Sequence, residues 1–112
     1  APGRAAYCAS TGGAVMLAKA IAIDYALDNI RANALCPGWV QTAMSDSFFA
    51  DPVAKKHWFG VSPAGHAATP GEIAPVAVFL ASDDARFVTG AAWIADGGLS
   101  AVLPGHRFDR EG

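Results

Sequence analysis

From Tyr7 to about Asn29 the chain has almost no polar face. Ala, Leu, Met and Lys recur there and no proline interrupts, which favours one long helix. Val15, Met16, Leu17, Ile21, Ile23 and Leu27 spread round that helix, and Lys19, Asp24 and Asp28 are the main exceptions. A helix apolar on nearly all sides is covered on two of them, so the fold must be layered. Gly12-Gly13 weakens the helix locally and permits close approach of another backbone. The whole chain shares this bias. Of its 112 residues 53% are hydrophobic and 16% charged, against about a quarter charged in an average globular chain. So short and apolar a chain is expected to bury surface against something it does not itself contain.

The rest alternates between strand and helix. Asn29 suits a helix stop. Ile30–Cys36 reads as a short buried strand, which Pro37-Gly38 ends. One helix is predicted around Ser47 to Trp58, with Pro52 breaking or kinking it, and Gly60 to Ala68 reads as loop. Thr69-Pro70-Gly71-Glu72 is a helix start: a capping hydroxyl, a first-turn proline and a glutamate completing the box. The helix Pro70–Ala81 carries Ile73, Val76, Ala77 and Leu80 at helical spacing, and Pro75 should loosen its first turns. Gly90 to Asp96 reads as a last strand closed by Gly97-Gly98, and residues from Ser100 onward as a tail with little structure. This helix-strand-helix-helix-strand order implies an α/β fold with a crossover joining a parallel pair.

Charge and cysteine usage narrow the function classes. The formal net charge is −2, with no basic cluster, which disfavours a nucleic-acid partner. No apolar run is read as reaching the eighteen or so residues of a membrane span, so no membrane is expected. The start Ala1-Pro2-Gly3-Arg4 has no signal-peptide layout. Cys8 and Cys36 show neither metal-like spacing nor a disulfide framework, which points to reduced thiols and a cytoplasmic location. His57, His66 and His106 are scattered, so no metal site is expected.

Three motifs carry the chemistry. The first is Tyr7-Cys8-Ala9-Ser10-Thr11, and the second is Pro37-Gly38-Trp39-Val40-Gln41-Thr42, directly after a predicted strand, where open α/β sheets bind ligands. The third combines Phe79-Leu80-Ala81-Ser82-Asp83, Phe87-Val88-Thr89-Gly90 and Asp96-Gly97-Gly98. In this order they resemble the C-terminal half of a short-chain dehydrogenase/reductase, across Tyr7 to Gly98. The resemblance implies the C-terminal part of a Rossmann-like doubly wound parallel sheet, incomplete here, with residues 1–98 in one domain and 99–112 as tail. It also implies NAD or NADP as cofactor and a small alcohol or carbonyl substrate, in a homodimer or homotetramer when full length. Tyr7 would be the proton donor or acceptor. Pro37, Gly38, Val40 and Thr42 would border the nicotinamide. Trp39, Met44 and Phe48 are candidates for the substrate pocket, with Phe49, Trp58 and Phe59 adding to its apolar character; Trp39 serves equally well as packing.

The departures are as informative. In the family a lysine follows the tyrosine by four residues, and here Thr11 stands there. A phenol ordinarily ionises near pH 10, and a neutral hydroxyl supplies no positive charge to favour the phenolate. Lys19 lies about 12 Å further up the helix at 1.5 Å per residue. Neither the substrate-orienting serine, which would precede Ala1, nor a glycine-rich phosphate loop is in the sequence. The expectation is a fragment that does not turn over alone. The alternative is a non-catalytic relative acting as an oligomerisation or binding module.

Overall fold

A computed structural model of the chain describes residues 3–60 and 62–103, the side chains of 58 and 59 excepted. The long helix forms as α1, Ala5–Asp24. At Tyr25 it tightens into a 3-10 turn over Ala26–Asp28, and Asn29 ends it in the left-handed region at φ 59°. A short polar side chain tolerates that conformation best after glycine, so the stop falls at the expected residue. By length and composition α1 could cross a membrane, with a mean hydropathy of 1.4. That corrects the expectation that no run is long enough: Ser, Thr and Gly interrupt the apolar string without lowering its average much. The core helix of a soluble layered fold has the same composition.

The first strand, β1, is Ala34–Pro37, and the second, β2, is Ala92–Ala95. They pair with each other in a two-stranded sheet. The bonds Ala34 N–H to Ala91 O (2.9 Å) and Gly38 N–H to Ala95 O (3.1 Å) advance together along both strands, so the pair is parallel. Both strands are shorter than expected. Residues 30–33 are held by other means: Arg31 donates from Nη1 to Leu80 O (2.8 Å) and Val88 O (3.1 Å) and from Nη2 to Ser82 O (3.2 Å). Asn33 bonds Val88 O and the Ala91 N–H.

The single helix expected near Pro52 is two helices that pack together: α2, Ala43–Phe49, and α3, Pro52–Phe59. Asp51 caps α3 by accepting the Val53 N–H at 2.9 Å, and Pro52 occupies the first turn, where its missing N–H costs nothing. The α4 helix runs Pro70–Ala81 as predicted, with Glu72 accepting the Thr69 N–H at 3.2 Å. It stays helical through Pro75. A 3-10 turn at Leu99–Ala101 follows β2, so the first residues assigned to the tail are ordered; Pro104, Gly105 and His106 lie outside the described residues.

Two compact units divide the chain. One comprises Ala1–Leu35 with Ala77–Trp93, the other Cys36–Val76 with Ile94–Gly112. Buried residues are few. Among those described they are Ala22 and Ala85 in the first unit and Ser62 in the second, while Leu27 and Phe87 are fully exposed.

Candidate functional site

In the first unit, Tyr7 and Thr11 both lie on α1, one turn apart and hence on one face. Tyr7 is 64% exposed, with the Arg4 guanidinium 5.9 Å from its ring centroid and its carbonyl accepting the Ser10 hydroxyl at 2.9 Å. Lys19 is committed elsewhere: its Nζ donates to Gly90 O at 2.9 Å. A lysine spent on a backbone carbonyl two turns further on does not stand in for one at position 11. Beside Gly12 and Gly13 a Cβ would meet nothing within 4 Å, so the room they leave is open.

The second unit contains the Pro37–Thr42 motif at the C-terminal end of β1. Pro37 is the last residue of the strand. Gly38 is a glycine for a packing reason, since a Cβ there would stand 2.8 Å from Asp96 Cα. Trp39 accepts the Ala68 N–H and Gln41 donates to Ala68 O, both at 2.8 Å, in a parallel bridge between Val40 and Ala68. Because the residues flanking Val40 make those bonds, Val40 turns its own N–H and C=O the other way. Its carbonyl accepts the Ser45 hydroxyl at 3.0 Å. Among the described residues its N–H has no acceptor. Thr42 caps α2 in a reciprocal box with Ser45, whose Oγ accepts the Thr42 N–H at 2.8 Å. A hydroxyl has one donor and two acceptor sites, so the capping bond and a 3.5 Å contact with Ser45 Oγ leave the Thr42 hydroxyl one further site. This strand end thus presents an amide donor, a carbonyl and a hydroxyl.

Trp39 and Phe48 come together, stacked at 5.4 Å and 10°. Phe49 meets both edge-on, at 6.2 Å from Trp39 and 5.4 Å from Phe48. Met44 is 92% exposed and stands apart from this cluster, and the side chains of Trp58 and Phe59 lie outside the described residues. Phe49 also lines a cavity of about 510 Å³ whose remaining walls are largely polar: Gln41, Asp46, Lys55 and His66. The apolar character expected of this region is therefore concentrated in the aromatic cluster.

Sequence reasoning left two features without a role. One is the turn after β2. Asp96 accepts the Gly98 N–H (2.9 Å) and the Ser100 N–H (2.8 Å). The Ser100 hydroxyl first, and these backbone donors after it, hold its carboxyl below the usual range. Gly97 and Gly98, both at positive φ, seat the segment Pro63-Ala64: a Cβ on Gly97 would stand 2.7 Å from the Ala64 Cβ, and one on Gly98 3.0 Å from Pro63 Cγ. Two glycines directly after an aspartate are the signal for such a turn. The other is a second cavity, about 200 Å³, lined by Trp39, Ser62, His66, Glu72 and Asp96 among others. No sequence signal announces it, because its residues come from three separate stretches.

Comparison with known proteins gives concordant matches. The family model described as Enoyl-(Acyl carrier protein) reductase matches residues 1–100. The chain is 38% identical over 101 residues to 2-(R)-hydroxypropyl-CoM dehydrogenase of Xanthobacter autotrophicus, covering 90% of this chain and 40% of that one. It is 40% identical over 105 residues to the inactive 2-(S)-hydroxypropyl-CoM dehydrogenase 2 of the same organism, covering 90% of this chain and 46% of the relative. Among solved structures, 4-hydroxyisoleucine dehydrogenase complexed with NADH superposes with a TM-score of 0.85 at 30% identity, over 88% of this chain and 41% of that one. The chain therefore spans less than half the length of these proteins.

Proposed function

The chain belongs to the short-chain dehydrogenase/reductase family, and from that premise we propose that it is the nicotinamide-side portion of an oxidoreductase interconverting a secondary alcohol and a carbonyl. The observation that supports this best is the end of β1: a Val40 N–H without an acceptor among the described residues, the Val40 carbonyl and the Thr42 hydroxyl. A carboxamide needs one donor for its oxygen and acceptors for its NH₂, and these groups meet that need. Val40 and Thr42 would hold the carboxamide of NAD or NADP, with Pro37 and Gly38 setting the close backbone approach. The bound cofactor supplies or accepts the hydride. Tyr7 gives its proton to the substrate oxygen during reduction and takes it back during oxidation, which is general acid–base catalysis. Trp39 and Phe48 would wall the substrate on one side and Met44 would flank it. The intact protein is cytoplasmic and forms a homodimer or homotetramer.

Thr11 sets the limit on activity. With Thr11 where the family has a lysine and Lys19 held by Gly90, the support that lysine gives the phenolate is missing and the chain alone does not turn over. In a protein completed with a family front half, Thr11→Lys is expected to raise turnover at least roughly tenfold. Stopped-flow oxidation of NADH and NADPH with a panel of ketones reads it; an unchanged rate would sink the assignment of Thr11 as the silencing residue. A second reading is a non-catalytic binding module. It is favoured by Thr11 together with the match to a relative named as inactive. A dimer that persists without cofactor, and stays inactive with Lys at position 11, would select it.

A further inference from the structure

We propose that Ser45 is a positioning residue for the nicotinamide carboxamide, holding the Val40 carbonyl and the Thr42 hydroxyl at the spacing the carboxamide reads. The assignment rests on reading Val40 and Thr42 as the carboxamide site. One atom, Ser45 Oγ, touches both residues. It accepts the Thr42 N–H at 2.8 Å. It lies 3.0 Å from the Val40 carbonyl oxygen and 3.0 Å from that of Thr42, and 3.5 Å from Thr42 Oγ1. A hydroxyl has a single proton, and both of its close carbonyl acceptors belong to these two residues. Whichever takes the proton, Oγ stays pinned between them.

A capping box alone does not call for this. The box needs Ser45 Oγ to meet the Thr42 N–H and the Thr42 side chain to meet the Ser45 N–H. The contact with Val40 O reaches five residues back, outside the box and onto a group assigned to the carboxamide. Ser45 is also half-buried where Ala43, Met44, Asp46 and Ser47 on either side are exposed. Ala68 holds the opposite side of the same corner, through its bonds to Trp39 and Gln41 at 2.8 Å. Val40 is thus gripped from two directions. Two anchors matter because a carboxamide is planar and makes several directed bonds at once, and a partner displaced by about an ångström loses its bond. The Val40 carbonyl keeps a second lone pair and the Thr42 hydroxyl one further site, so the tie does not block the cofactor.

Ligand-observed saturation-transfer NMR on the full 112-residue chain, kept dilute, tests the proposal. The probes are 1-methylnicotinamide, which carries the carboxamide, and 1-methylpyridinium, which lacks it. The unaltered chain should bind the first about tenfold more tightly than the second. In Ser45→Ala that preference should fall to about twofold, and Ser45→Thr, which keeps the hydroxyl, should restore most of it. A merely structural serine would weaken both probes alike and leave their ratio unchanged. Ser45→Glu is the second variant, since a glutamate completes the capping box but has no proton for Val40. Its helicity by circular dichroism should match the unaltered chain, and its preference should be as low as in Ser45→Ala. Its added charge acts on both cationic probes and cancels in the ratio. Equal binding of both probes by the unaltered chain would sink the carboxamide reading and this proposal with it. A preference of about tenfold kept in Ser45→Ala or Ser45→Glu would overturn the assignment of Ser45 alone.

Discussion

Asp96 shows how much one side chain can organise. Its carboxylate closes the turn after β2 on the amides of Gly98 and Ser100, and that turn seats Pro63-Ala64. Because the folded group titrates below its ordinary value of 3.8, its contribution is present above that value and is lost as the pH falls through the lowered one. A carbon-13 titration of the Asp96 carboxyl should give a midpoint below 3.8, and Ser100→Ala should move it upward. A midpoint at the ordinary value would mean the turn is open in solution. The same residue explains Gly38, whose hydrogen faces the Asp96 backbone. The sequence marks both as glycine and aspartate of a motif, yet their proximity joins positions 58 residues apart and could not be read from either.

At the scale of the element, helix starts were the most legible features. Thr69-Pro70-Gly71-Glu72 located α4 because capping is decided by four consecutive residues. Asp51-Pro52 is an equally local start, a capping carboxylate before a first-turn proline; taken instead as a break within one helix, it hid the division into α2 and α3. Strand ends were less legible, since Ala34–Pro37 has little β-branching and its limits depend on where Ala92–Ala95 pairs. Arg31 is the element-scale device that pattern reading passes over. It gathers the carbonyls of Leu80 and Ser82 at the C-terminal end of α4, where a cation also complements the helix dipole, together with that of Val88 further along the chain. Lysine has the charge but not the planar fork. Arg31→Lys is therefore expected to speed amide exchange in the last turn of α4 about tenfold, and an unchanged exchange pattern would show that the carbonyls do not need the fork.

At the scale of the whole molecule the exposed apolar surface dominates. Met16, Leu17 and Ile23 are 60% exposed or more on α1, and Leu27 and Phe87 are completely so. A two-stranded sheet is marginal by itself, and contiguous apolar surface of this kind drives association. The isolated chain should self-associate with rising concentration and bind a hydrophobic dye; a sharp cooperative melt of a monomer in sedimentation-checked samples would refute this. By itself the sequence determined the family, the parallel α/β order and the absence of a lysine at position 11, because each is written in residue type and local spacing. Only the tertiary structure decided that Lys19 is spent on Gly90, that Val40 presents a donor without an acceptor among the described residues, and that Ser62, Glu72 and Asp96 line one cavity. Those facts depend on which distant backbone atoms meet, and chain order alone does not carry that distance.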